Sequence, residues 1–258
     1  MIFHHMTHPE IAAVDRSAVV ILPLGSTEQH GHHLPVDTDT RIVSALCAEL
    51  ERRMPEQILL MPTQWLGHSP HHLDFGGTLS LHHELYSRML TETIRCISGM
   101  GFRRILLING HGGNMMPISM TLQAVKLENP DLLLAACSYW ELAKKELTAL
   151  REGGEFAMGH ACELETSLYL YLHEEGVRKE KIRDAGHPDP SGYFAYTMFS
   201  GATASYLSNF RQFTDTGALG RPSLASAEKG KAMFDAISDC LFRFASFWHE
   251  KQTMDQPF

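Results

Sequence analysis

The sequence predicts an α/β protein whose mostly parallel sheet carries helices on both faces. Three observations lead there. Apolar, β-branched runs such as Val19 to Leu24 and Arg103 to Asn109 are short and nearly continuous, as in strands buried on both sides. Stretches with helical period separate them, and repeated strand–helix units build parallel sheets. The histidines and carboxylates gather just after the strands, where open parallel sheets bind their ligands.

In order, a strand over 18–24 breaks at Pro23 and Gly25 and leads through a polar loop into a helix over about 40–54. Ile58 to Met61 is a short strand, followed by a long loop over 63–78 and a helix over 82–100. A strand at 103–109, a helix at 114–128, a strand from Leu132 to Ser138 and a helix at 140–152 complete the alternation. Residues 159–172 read as another helix that opens at a His/Glu cluster. Residues 176–222 are rich in Gly, Pro, Ser and aromatics without clear period, and are expected to cross the mouth of the site or form a subunit contact. The last helix spans about 224–250, starting near Ser226.

A chain of 258 residues fits one large domain, and no linker or internal repeat divides it. With 44% hydrophobic and 20% charged residues it has the make-up of a soluble protein. The net charge of −8, with no Lys/Arg block, argues against nucleic acid or an anionic membrane as partner. Five widely spaced cysteines fit a reducing compartment, not a disulfide framework. The N-terminus lacks the pattern of a signal peptide, and no apolar run approaches the roughly 20 residues of a membrane span. A cytoplasmic location is expected.

The 16 histidines exceed what structure alone needs. Glu28, His30, His32, His33, Asp37 and Asp39 fall within twelve residues after the first strand. Residues two apart in extended chain point to the same side, so Glu28 and His30 can approach one ion, with Asp39 closing from the far end of the loop. Carboxylate and imidazole suit zinc, manganese or iron; a polar surface loop is the bland alternative. Gly67-His68-Ser69-Pro70-His71-His72 follows the second strand and Asn109-Gly110-His111-Gly112-Gly113-Asn114 the third. His111 sits among glycines that permit close approach of a ligand, and a plain glycine-rich turn is the competing reading. Asn114 opens the next helix. In Gly159 to Ser167, at about 100° per residue, His160, Glu163 and Ser167 share a helical face and Glu165 points away. Acidic residues drawn to a helix start explain the glutamates equally well, but not the histidine. Cys162 also lies at this helix start, where thiolate is favoured; plain packing is the preferred role.

With LPLGSTEQHGHHLPVDTD at 22–39, GHSPHHLDFGGTLSL at 67–81, INGHGGN at 108–114 and GHACELETS at 159–167, the chain resembles the creatininase family from about residue 8 to 250. The resemblance implies a single three-layer α/β/α domain, one or two divalent ions, C–N hydrolysis in a small cyclic amide or related compound, and commonly a homohexamer. Carried over by position, Glu28, Asp39 and His111 hold the first metal, His30 and the shared Asp39 the second, and His160 lies beside the substrate. Creatinine hydrolases carry a second-metal glutamate where this chain has Gly113, and Glu163 is the expected replacement. They also carry tryptophan and acidic residues where Phe156-Ala157-Met158-Gly159 stand, so creatinine is not the expected substrate. Branches with NGHGGN and a HAGELETS-like motif act on formamide-type pyrimidine intermediates, cyclic sugar derivatives and peptide precursors.

The expected chemistry is attack by a metal-activated water, with Glu163 or His160 moving the proton to the leaving nitrogen and His72 and Asn114 orienting the substrate. A deformylase, or a keto-inositol or other sugar-ring hydrolase, is the alternative enzyme; a non-catalytic metal-binding relative is the alternative outside enzymes. No G-x-S-x-G elbow supports a serine hydrolase.

Overall fold

The computed structural model describes residues 1–186, 193, 197–199 and 209–251. Of the expected excursion over 176–222, residues 187–192, 194–196 and 200–208 lie outside the described residues. The strands are β1 (Val19–Leu24), β2 (Ile58–Leu60), β3 (Arg104–Asn109), β4 (Leu133–Ser138), β5 (Met158–His160) and β6 (Leu219–Gly220). The helices are α1 (His8–Ala13), α2 (Thr38–Arg53), α3 (His83–Gly99), α4 (Met115–Glu128), α5 (Tyr139–Leu142), α6 (Lys144–Leu150), α7 (Glu163–His173) and α8 (Ala227–Glu250).

The main sheet is parallel, in the order β2-β1-β3-β4. Alternation along β1 divides the core. Val19 and Ile21 pack with Ile42, Leu46 and Leu50 of α2 and with Leu168, Ile237 and Leu241 of α7 and α8. Val20, Leu22 and Leu24 pack with Tyr86, Leu90, Ile94 and Ile97 of α3 and with Ile118 and Val125 of α4. Successive strand side chains point to opposite faces, and the three- and four-residue spacing along α3 makes one apolar stripe. The result is three layers, helix on sheet on helix, as the alternation predicts. Among the described residues no helix is long and apolar enough to cross a membrane.

Three local expectations change. β1 runs through Pro23 instead of breaking there, because β2 has ended opposite it: pairing stops at Ile21–Leu60 and resumes at Gln64, whose N–H donates to the Pro23 carbonyl. A proline is tolerated where the neighbouring strand asks for no N–H. The helix expected over 140–152 is two, α5 and α6, meeting at Ala143. His160 lies in β5, not on a helix: β5 pairs antiparallel with β6, and α7 begins only at Glu163.

Candidate metal centre

Topology makes the crevice. After β1 the chain turns onto the face covered by α2; after β3 it turns onto the opposite face, covered by α4. Between adjacent parallel strands whose connections diverge, a cleft opens at their carboxyl ends. Glu28 and His30 come from the loop after β1, Asp39 from the first turn of α2 and His111 from two residues beyond β3. All four are buried.

Asp39 is the hub. Its Oδ1 lies 3.1 Å from His30 Nε2 and its Oδ2 lies 3.2 Å from His111 Nδ1. Glu28 Oε2 is 3.1 Å from His111 Nδ1, and its Oε1 is 3.5 Å from His72 Nε2 and 3.6 Å from His160 Nδ1. Glu165 Oε1 approaches His30 Nε2 to 3.9 Å. Glu28, Asp39 and His111 thus form one converging group of donors, and His30, His160 and Glu165 another. The second group sits against the other oxygen of Asp39.

Backbone carbonyls orient the imidazoles. A carbonyl only accepts, so the ring nitrogen facing one carries the proton. His30 Nδ1 donates to the Glu28 carbonyl at 3.2 Å, leaving Nε2 aimed at Asp39. His111 Nε2 faces the His68 carbonyl at 3.2 Å, leaving Nδ1 aimed at Glu28 and Asp39. This arrangement, with the outer nitrogen anchored and the inner one presented, is that of metal-ligating histidines. Burial pushes the pKa of His111 down, but the Glu28 and Asp39 carboxylates overcome it and hold His111 up at about 10. His30 is likewise raised well above its ordinary value by Asp39 and Glu165, against its burial. Burial pushes Glu28 up, yet the protonated His111 beside it holds it well below the usual carboxylate range. Burial lowers His72 and, with His30 beside it, His160, so both are neutral near pH 7.

Whether a divalent ion fits can be judged from atoms left without hydrogen bonds. Among the described residues, Glu28 Oε1, His30 Nε2 and Asp39 Oδ2 are buried and find no hydrogen-bond partner. Unpaired buried carboxylate oxygens are costly, and oxygen and nitrogen donors converging at this spacing suit zinc or manganese. The residues fit the ion. In its absence, protons take its place on His30 and His111. A histidine pKa raised by folding adds stability that is full below about 6.5 and is lost as pH rises through the folded value. The metal-free protein is therefore expected to lose stability toward pH 10 while its metal affinity rises. Loading zinc at pH 8 should release about two protons. Calorimetry in two buffers of different ionisation enthalpy reads this directly, and buffer-independent heat would contradict it.

Two expected site residues lie elsewhere. Glu163 is buried, but its Oε1 accepts from Glu152 N–H at 2.8 Å and from Lys229 Nζ at 2.7 Å, and its Oε2 accepts from Gly153 N–H at 3.1 Å. It ties α7 to α8 and to the turn before β5. The face argument fails because Ala161, at φ 49°, turns the chain between His160 and α7, so one helical phase does not span both. Asn114 is also withdrawn from the crevice: its amide accepts from His68 N–H at 2.9 Å and donates to the Gly25 carbonyl at 3.0 Å, tying three loops together. Cys162 is buried, and burial followed by Glu165 pushes its thiol up, which leaves it the packing role.

Sequence reasoning turned Glu165 away from the site, keeping it only as the alternative to Glu163, and missed three further residues. Glu165, third in α7, reaches back toward the Cys162 N–H at 3.4 Å, and this capping turn carries it to His30. Its spacing from Cys162 was the available signal. Ser69 Oγ donates to Glu28 Oε2 at 2.6 Å. Gln29 Nε2 lies 2.8 Å from His72 Nδ1. Phe210 packs on His72 and His160, with ring centroids 4.3 and 5.0 Å away, and nothing near it in the sequence marks it. Gly113 leaves no space for the glutamate of creatinine hydrolases, since a Cβ there would stand 2.2 Å from the His68 carbonyl oxygen and 2.4 Å from His111 Nε2.

Residues 4–245 match the family model described as Creatininase: Creatinine amidohydrolase. The chain is 32% identical over 247 residues to a mycofactocin precursor peptide peptidase of Mycobacterium tuberculosis, covering 92% of this chain and 89% of that protein. It is 30% identical over 260 residues to a 3-dehydro-scyllo-inosose hydrolase of Thermotoga maritima, covering 93% and 80%. Two solved creatininases, a mutant of Zn–Zn type and a manganese form, superpose with TM-scores of 0.83 and 0.82 at 25% identity. Each comparison covers 97% of this chain, and 98% and 99% of the two creatininases.

Proposed function

The chain belongs to the creatininase family and is a metal-dependent hydrolase, and on that premise we propose that it cleaves a C–N bond of a small amide, linear or cyclic. The observation that carries the reading is Asp39, whose two oxygens face His30 and His111 from opposite sides beside buried donor atoms that lack hydrogen bonds. Glu28, Asp39 and His111 would hold one ion, and His30, Asp39 and Glu165 a second. Bound divalent metal lowers the pKa of its water and polarises a carbonyl.

The protein's own groups do the rest. His160 Nε2 donates to the Gln29 carbonyl at 2.7 Å, which leaves the Nδ1 lone pair facing the crevice near Glu28. A neutral, buried imidazole in that tautomer takes a proton from the attacking water and returns it to the departing nitrogen. Ser69 holds Glu28 in place, and Phe210 covers the paired rings of His72 and His160, excluding water from them. The C–N assignment is supported by the mycobacterial relative, named a peptidase, and by the amidohydrolase description of the family.

The test is a hydrolysis screen of protein reloaded with zinc or manganese over short peptides, formamides, lactams, creatinine and keto-inositols. Turnover is expected among the first three. Creatinine should be negligible against an ordinary turnover of about 10 per second, given Gly113 and the Phe156 to Gly159 stretch. Turnover of keto-inositols alone would move the assignment to ring hydrolysis.

A further inference from the structure

Gln29 holds a position between the ligand loop and the far side of the crevice. Its side-chain Nε2 donates to the Gly217 carbonyl at 2.9 Å and lies 2.8 Å from His72 Nδ1. Its Oε1 accepts from the Gly31 N–H at 2.9 Å. An amide is often ambiguous between its oxygen and nitrogen, but here two backbone groups settle it. Reversed, the amide would set its oxygen against the Gly217 carbonyl and its NH2 against the Gly31 N–H. The fit is tight: Gly217 has φ +83°, and a Cβ on it would stand 2.0 Å from Gln29 Oε1. One amide hydrogen goes to Gly217 and the other to His72. The 3.2 Å approach of Gln29 Nε2 to His160 Nε2 sets two donors side by side, because that His160 nitrogen already donates to the Gln29 carbonyl.

An Nδ1 that accepts from the amide carries no proton, so the proton of His72 sits on Nε2. That nitrogen faces Glu28 Oε1 at 3.5 Å and belongs to a group, Glu28, His72 and His160, whose spacing alone would suit a third metal ion. An N–H cannot ligate a metal. We propose that Gln29 is a positioning residue that fixes His72 as a hydrogen-bond donor, and that His72 Nε2–H holds the oxyanion formed when water adds to the substrate carbonyl. As the new C–O bond forms, the carbonyl π pair moves onto oxygen, and the fixed N–H meets it without giving up its proton. His72 and His160 then divide the work in one stacked pair 4.4 Å apart: His72 donates a hydrogen bond and His160 accepts a proton. The oxyanion role rests on the amide-hydrolysis reading; the tautomer does not.

The test uses the full-length zinc-loaded protein with 15N-labelled histidine. Long-range proton–nitrogen spectra should show His72, assigned by its loss in His72→Phe, with Nε2 protonated and Nδ1 bare. Gln29→Glu should reverse the pattern, because a carboxylate accepts from Nδ1–H, and the uncharged Gln29→Met should leave a mixture. Zinc content should stay at the wild-type level in all three. Methylphosphonate, a tetrahedral anion, serves as the oxyanion probe. Its Kd should rise roughly tenfold or more in Gln29→Glu and His72→Phe, and His72→Asn, which restores an N–H donor, should recover part of the loss. Wild-type His72 protonated on Nδ1, or unchanged phosphonate affinity in His72→Phe, would overturn the proposal. If tautomer and phosphonate behave as expected and no amide is cleaved, the donor stands and the amide reading falls.

Discussion

Asp39→Ala is expected to remove bound metal and activity together while the fold survives. The carboxylate is the one group shared by both halves of the centre, with Oδ1 toward His30 and Oδ2 toward His111. Its loss would take a charged ligand from any ion held beside His111 or beside His30, along with the negative charge that offsets the metal's. Residues outside the ligand sphere typically cost roughly 10–100-fold in metal affinity or activity when replaced, so a bridging ligand should cost more. The fold is insulated from the change. Asp39 lies in the first turn of α2, and alanine is the best helix former. The core beneath, Ile42, Val43 and Leu46, is untouched. In the mutant His30 and His111 each lose one of the two carboxylates that raise them, with Glu165 and Glu28 still beside them, so they shift toward neutral imidazole without stranding a buried charge. Elemental analysis, far-UV circular dichroism and a thermal melt form the check. Metal at wild-type stoichiometry in the mutant would refute the assignment.

Glu163→Gln and Glu165→Gln are expected to fail in opposite ways. Glu163 is fully buried against Lys229, which is itself only 9% exposed and whose other carboxylate partner, Glu152, is mostly in solvent. Neutralising Glu163 leaves the ammonium short of its buried counter-charge, a loss of about 3 kcal/mol. In a chain of this size that lowers Tm by roughly 6–12 °C. Metal content and rate should hold, because Glu163 touches none of the converging donors. Among the described residues, the cation paired with Glu165 is His30, 3.9 Å away. Glu165→Gln should therefore lose the ion on the His30 side and with it most of the rate, at little cost in Tm of the metal-free form. Melting temperature, metal per chain and turnover separate the two variants. A Glu163→Gln protein that melts like wild type yet lacks metal would return the ligand role to Glu163.

Much of the molecule follows from the sequence alone. The alternation of apolar strands with helical stretches specified the layered α/β fold, since side chains in strands and helices repeat with different periods and each must bury its apolar face. Glu28, His30, Asp39 and His111 were legible as one cluster because the tips of parallel strands are brought together by the sheet itself, whatever the details of the loops. What the tertiary structure alone decided lies where distant segments meet. His160 was assigned to a helix from local spacing, but it pairs as β5 with Leu219 of β6, far along the chain. That pairing forces the left-handed turn at Ala161 and resets the phase of α7. The reset turns Glu165 toward His30 and Glu163 toward Lys229. Phe210 and Gly217 reach His72 and Gln29 from a segment whose sequence has no period to read. A side chain's direction is set by its own backbone, and here that backbone is bent by contacts more than fifty residues away in sequence.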